Sequence, residues 1–544
     1  MGLEITLASK PPLFVRKATG LTREISVLST IPLSWLCIGA GINVFSVEGS
    51  FSFPGANVPL GYFMCGIFYV IFTAILGLMA VAMPRTGGDY VSTGRILGPF
   101  AGIFSGIPRI VGLAFIGGLL GGVTGILIGA GLLQAGTLVN NATWMDWGLW
   151  ILTNTEVQFG LGILFILISF LILLVGSRVF MWATWILVII PAIGSIVAMI
   201  LLYTNTPATA QTAWDNMFGT GAWQEIVDVA SAGDPANGVA GWTATEYGMG
   251  VNWDSTFKIL IPAYFAYGGS EATVYWGSEV KEPRKSMLVG TIVGPLLMWI
   301  FYTIFVYSVY YSYGNFVSQT AFVMMQPNVM DQLSGTLTPK GLPVSFPTFV
   351  SVFAPESWLV FFISLTSALW IFGVCVLIMG MVSKLIFAMS FDRFVPEVLA
   401  SVNDRFHSPH WSLTLTFICA IIGLIIFIYR GALAAIVDTT IIWFFWSTLL
   451  CVAATIYPIT RPEIWERGYA LRVAAFPLIS LLGIISFIVY MYVNTAAIAE
   501  AVPDILYLAI GVWAFTLVYY VAYALYNRRR GIDVEAVYRE IPPA

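Results

Sequence analysis

Charged side chains are scarce in this sequence: they make up 10% of its 544 residues, where soluble domains carry about 25%. With 58% hydrophobic residues and a mean hydropathy of +0.88, that scarcity excludes a soluble globular chain and leaves a polytopic membrane protein. Histidine is nearly missing, with only His407 and His410. Cysteine is limited to Cys37, Cys65, Cys375, Cys419 and Cys451, all inside apolar runs and without CxxC or CxH spacing. No metal site, disulfide framework or cofactor is therefore expected. The chain has no cluster of paired carboxylates, His ligands or a nucleophile beside a base, so an enzyme is not expected either. A formal net charge of −4 gives no reason to look for nucleic acid. The first 26 residues lack a short apolar core with a small-residue cleavage site, so a cleaved signal peptide is not expected.

Long apolar runs are what the sequence has in quantity. Runs long enough to span a bilayer lie near 27–50, 59–83, 100–134, 157–175, 179–203, 256–280, 287–312, 358–387, 411–429, 433–457, 473–493 and 504–526. The expected architecture is an all-α membrane protein with twelve spans. The third run has room for an extra turn or a tilt. Even parity puts both ends on one side, and the basic residues say which. With the N-terminus cytoplasmic, inner loops and the tails 1–26 and 527–544 hold twenty of the 24 Lys and Arg. The outer side holds only Lys258, Lys340 and Arg430. Arg109, in the third run, is expected to snorkel to the inner interface.

Two outer loops are long, 204–255 and 313–357. The first carries six acids and no Lys or Arg, and its Trp214, Trp223 and Trp242 suggest a packed cap rather than a free linker. The sequon Asn141-Ala142-Thr143 falls on the outer side.

Two runs are interrupted by glycine. One reads Trp35-Leu36-Cys37-Ile38-Gly39-Ala40-Gly41-Ile42-Asn43, the other Phe265-Ala266-Tyr267-Gly268-Gly269-Ser270-Glu271. Each break falls about twelve residues into its run, roughly 18 Å at ~1.5 Å per residue, past the middle of a ~30 Å hydrocarbon layer. Two helices broken near mid-depth, one opening each half of a chain, are what a secondary transporter's binding site requires. Unwound backbone persists in a membrane only where it faces protein, a water cavity or a ligand. At the first break a half-helix starting near Ile42 would offer N–H donors to a carboxylate, or the glycines would simply allow close packing. Glu271, an acid inside a span, would accept a proton, pair with a ligand amine, latch a gate, or tie the two broken helices together.

These motifs resemble the amino acid–polyamine–organocation transporters. Gly39-Ala40-Gly41-Ile42 is similar to their GSGI signature, with Ala40 in place of the usual Ser. Met83-Pro84-Arg85-Thr86-Gly87-Gly88-Asp89-Tyr90, continuing to Gly98-Pro99, resembles PxSGGxYxY…GP. Gly269-Ser270-Glu271-Ala272 through Glu279-Val280-Lys281-Glu282-Pro283-Arg284 resembles GFES…EEVKNPRR, and Ser383-Lys384 through Pro396 resembles SRLLYAMARDGLLP. The resemblance implies a five-plus-five inverted repeat of the LeuT type, 27–203 and 256–457, followed by two further spans in 458–526. It implies an amino acid permease of the plasma membrane, acting on a small-molecule substrate in the lipid bilayer, and leaves a homo-oligomer open. The substrate carboxylate would meet N–H groups around Ala40, Gly41 and Ile42. The amine would meet carbonyls near Cys37, Ile38, Phe265 and Ala266, with the third, eighth and tenth spans completing the pocket. Phe265 would be an aromatic gate, pointing toward Gly268 and Gly269.

The departures bear on coupling. Some proton-coupled relatives carry a lysine in the fifth span, and 181–203 here has none. Sodium-coupled relatives place hydroxyls in the inner half of the eighth span, and 374–382 has no Ser or Thr. A proton on Glu271, exchange and uniport all stay open. The histidines are expected in an inner loop, away from any midplane relay. A cationic substrate would suit an acidic outer face, although the positive-inside rule alone also leaves acids there. Short tails make a nutrient sensor the less expected reading.

Overall fold

The computed structural model describes residues 14–15, 18–47, 53, 55–242, 252–333, 345–430, 447–500 and 503–542. Nine described helices are long and apolar enough to cross a bilayer: Val58–Ala82, Pro99–Leu138, Thr155–Leu174, Ser177–Tyr203, Pro283–Tyr313, Ser357–Phe391, His410–Tyr429, Leu478–Glu500 and Leu506–Arg529. They coincide with nine of the twelve apolar runs and make this an integral membrane protein, since helices satisfy their own backbone groups in hydrocarbon. The first and sixth runs are built of shorter pieces. The tenth is described as Ser447–Thr460; its earlier part, 433–446, lies outside the described residues.

Burial orders the bundle. Within their most apolar stretches the third span is 72% buried and the eighth 78%, whereas the last is 11%. The third and eighth spans therefore form the centre, and the last lines the lipid with residues such as Ile510, Phe515 and Val518. Small residues make the centre compact. A methyl group on Gly118 would overlap the ninth-span backbone at Ala420 and Leu424, and one on Gly131 would overlap Ser364 of the eighth span. The third helix runs for 40 residues, about 60 Å at ~1.5 Å each and far longer than the hydrocarbon layer.

The two ends of the bundle differ. Beyond Tyr203, the helices Pro207–Phe218 and Ala222–Ala232 form the packed cap expected of loop 204–255. Trp214 is buried against Phe218 and Phe316, with ring centroids at 4.7 and 5.0 Å, and Trp223 stacks on Phe316 at 3.4 Å. At the opposite end the described residues near both ends of the chain pack against the loops. Ile25 N–H donates to the Glu279 carbonyl at 3.0 Å, and Lys281 N–H donates back to the Ile25 carbonyl at 2.9 Å. Lys384 meets Glu279 at 2.6 Å, and Arg95 grips Asp392 through two bonds of 2.6 Å. The histidines stay in the loop after the eighth span and at the next helix start, with His407 exposed.

Candidate functional site

The second glycine break lies where the sequence places it. Helix Leu260–Tyr267 ends at Gly268, and a short 3₁₀ turn, Ala272–Tyr275, follows Glu271. Gly269 has φ +101, a conformation that side chains rarely adopt, and a Cβ there would crowd Cys37 of the first run at 3.0 Å.

The first break is displaced from its expected position. Helix Thr30–Trp35 gives way to a turn at Leu36–Cys37, then to a helical turn Ile38–Ala40 and a π-helical turn Gly41–Phe45. Gly39, Ala40 and Gly41 thus lie within helical turns rather than in an unwound gap. Leu36, Cys37 and Gly41 all keep right-handed helical dihedrals, and the Gly41 N–H already donates to the Ile38 carbonyl. The physical reason is packing. A Cβ on Gly39 would run into the Trp370 backbone of the eighth span, and one on Gly41 would overlap the Tyr302 hydroxyl and Ala266. These glycines bring the first run close to three others, the sixth, seventh and eighth, which is the packing alternative at this segment.

The breaks are joined by a residue that the sequence did not single out. The Tyr302 hydroxyl, on the seventh span, lies 2.9 Å from both the Ile38 and the Ala266 carbonyl oxygens. Both are among the four carbonyls, near Cys37, Ile38, Phe265 and Ala266, at which the resemblance puts an amine. A phenol has one proton, so at any instant it satisfies only one of them; an ammonium group, with three donors, could satisfy both. Tyr302 sits in a ring cluster, edge-on to Tyr267 at 4.9 Å and tilted to Tyr62 at 5.8 Å. Three tyrosines buried in apolar runs were the available signal: a hydroxyl inside a membrane needs a partner.

Glu271 is 1% exposed. Its Oε2 accepts from the Tyr69 hydroxyl at 2.9 Å and from the Gly269 N–H at 3.0 Å. It therefore holds the sixth-span break to the second span. Ile38, Ile42, Phe265 and Ala266 are all buried, and Asn43 Nδ2 ties the first run to itself at Gly39 (2.9 Å) and to Ser367 of the eighth span (3.3 Å).

Arg109 does not snorkel. It is buried and paired with Asp89, donates to the Tyr275 hydroxyl at 2.9 Å, and reaches Ser447 of the tenth span at 3.0 Å. Tyr275 in turn donates to Asp89 at 3.1 Å. Asp89, in the short helix Asp89–Leu97, supplies a charge partner inside the protein, and a buried charge held that way has no need of the interface. Among the described residues no three His, Cys, Asp or Glu side chains gather as metal ligands would.

Two discontinuous membrane segments, crossing at buried backbone carbonyls beside a buried acid, agree with what comparison with known sequences finds. A family model described as "Amino acid permease" matches residues 25–521. The chain belongs to the amino acid permease family. It is also 27% identical over 272 residues to a methylthioribose transporter of Bacillus subtilis (strain 168), an alignment covering 49% of this chain and 50% of that protein. The chain thus spans about half the length of that transporter, while the family match and the nine apolar helices make it an integral membrane protein of the amino acid permease family.

Proposed function

We propose that the permease is a secondary active transporter that moves an amino acid, or a related amine, across the plasma membrane by alternating access. In this reading it has twelve spans, an inverted five-plus-five core with two spans outside it, and both termini cytoplasmic. The observation that carries the proposal is the convergence of the Ile38 and Ala266 carbonyls, from two different broken segments, on one donor 2.9 Å from each. A substrate amine would replace Tyr302 there. Its carboxylate would lie toward the backbone of Ala40, Gly41 and Ile42, with Gly268 and Gly269 leaving room beside Phe265. Glu271 would carry a coupling proton. Uptake into proteoliposomes of all amino acids and putrescine, with and without a pH gradient, tests this: saturable uptake of at least one is expected, and none would overturn it.

A second reading has its own support. Those two carbonyls already accept from a hydroxyl, so a neutral polyol or thiosugar, such as the methylthioribose of the relative, would supply suitable donors. Adding methylthioribose to the same screen separates the two.

Two expected results follow. In a cysteine-free background, a thiol placed at Ser231, exposed on the cap helix Ala222–Ala232, reacts with an impermeant maleimide in intact cells. One placed at His407 reacts only after permeabilisation; the reverse pattern would invert the topology. Phe265→Ala removes a buried ring beside the sixth-span break and should weaken apparent affinity by about tenfold, since an aromatic wall excludes water from a bound ligand. Unchanged KM and turnover for every transported substrate would move the gate elsewhere.

A further inference from the structure

The helix Val534–Arg539, near the C-terminus, is a satellite in sequence but not in packing. Tyr538 is 1% exposed. Its ring lies in a notch made by two glycines: a Cβ on Gly94 or Gly102 would strike it at 2.7 or 3.0 Å. The Arg95 guanidinium stands 4.7 Å over the ring, and Phe394 meets it edge-on at 5.8 Å. Its hydroxyl shares a hydrogen bond with Tyr90, which itself donates to Asp392 at 2.8 Å. Burial, with Asp392 nearby, holds the Tyr538 phenol well above its ordinary value, so it stays protonated.

The backbone of the same segment is held at three more points. Arg95 Nε donates to the Glu540 carbonyl at 3.3 Å, Arg461 Nη2 to the Tyr538 carbonyl at 3.3 Å, and Arg85 Nε to the Pro542 carbonyl at 2.5 Å. Arg85 follows the second span, Arg95 precedes the third, Asp392 ends the eighth and Arg461 ends the tenth. The tail therefore cross-links four spans. It does so beside the seam that closes this end of the bundle. Thr86, next to Arg85, pairs with Trp276 and donates its N–H to Ser278 Oγ at 3.2 Å. Pro542 itself lines a small cavity with Thr86, Ser278, Ala388 and Asp392.

We infer that the C-terminal segment 532–542 is a latch that holds the cytoplasmic side of the transporter shut, with Tyr538 as its pin. The inference rests on the transporter reading, because only a protein that opens inward needs such a latch. Opening between the sixth-span end and the second and eighth spans separates Thr86 from Trp276 and Ser278. Arg85 cannot follow that movement while Pro542 holds it and Tyr538 anchors the tail to Gly94, Gly102 and Arg95. Release of Tyr538 frees all three tail tethers together, because they lie within five residues of it.

The test needs no substrate. A single thiol is placed at Ser383, buried beside Lys384 in a second small cavity at this end, in full-length protein with its five native cysteines replaced. Its rate of alkylation by N-ethylmaleimide is then compared with and without a change at Tyr538. Y538A should raise the rate at least about tenfold, and Y538F, which keeps the ring in its notch, by less. A control thiol at Ser231, on the far cap, should not change. Equal Ser383 rates in intact and Y538A protein would overturn the latch, and so would an equal rise at Ser231, which signals general loosening. If Y538A is not monodisperse, Y538F carries the comparison, and no rise in it would overturn the latch. A positive result together with a null uptake screen would show the tail closing this end of the bundle but remove the transporter reading; uptake without a rise at Ser383 would keep the transporter and remove the latch.

Discussion

Gly41→Val should abolish transport, leaving less than about a hundredth of wild-type uptake, a loss of at least ~2.7 kcal/mol at 1.36 kcal/mol per decade. Even one methyl group on Gly41 would overlap the Tyr302 hydroxyl and Ala266 Cβ, so a branched side chain must drive Tyr302 away from the Ile38 and Ala266 carbonyls. The bulk then occupies the space a ligand needs, and the two broken segments can no longer present their carbonyls at one point. Stability should fall less than function, because the third and eighth spans, which form the buried centre, are untouched. Radiotracer uptake in proteoliposomes, with size-exclusion chromatography as the folding control, measures both. Wild-type affinity in a monodisperse Gly41→Val protein would show that this glycine serves packing alone. Gly39 predicts a contrasting result: its Cβ would meet rigid Trp370 backbone, so a side chain there damages the fold itself.

The second large effect separates coupling from binding. Glu271→Gln should retain substrate exchange at near wild-type rates and lose accumulation driven by an inside-alkaline gradient. The amide is close in shape to the protonated acid, and its carbonyl oxygen can accept the bonds that Glu271 Oε2 takes from Tyr69 and Gly269. The break geometry should therefore survive, while the group can no longer release a proton. If Glu271 only ties the sixth-span break to the second span, the amide keeps most gradient-driven uptake. Comparing counterflow with gradient-driven uptake on the same liposomes distinguishes the two. Wild-type uptake indifferent to pH would instead leave exchange or uniport.

Much of the fold was legible because membrane constraints act on composition. Twenty-odd apolar residues in a row admit little but a spanning helix, and nine such helices lie on nine of the predicted runs. The second break was legible to the residue, because Gly268-Gly269 precedes an acid that no lipid-facing position would tolerate. The first was misread by several residues. Glycine pairs serve both unwinding and close packing, and only the three-dimensional neighbours, Trp370 behind Gly39 and Tyr302 beside Gly41, distinguish these uses. Arg109 was misplaced for a related reason. A lone cation in an apolar run looks like a snorkelling residue until its partner Asp89, twenty residues earlier, comes into contact with it. Tyr302 was missed for a third reason: a tyrosine in an apolar run signals that its hydroxyl needs a partner, but one among 24 carries no signature of which carbonyls it will meet.

Cys37 offers the most direct check on where the substrate binds. It is a native thiol at the first break, 3.9 Å from the Tyr267 carbonyl at the second. In a protein retaining only Cys37, a saturating concentration of the substrate identified by uptake should slow alkylation by N-ethylmaleimide severalfold, while a protein retaining only Cys419, on the ninth span, should show no protection. Protection of Cys37 alone would place the substrate between the first and sixth spans; equal alkylation of Cys37 with and without a substrate the protein demonstrably transports would contradict that site.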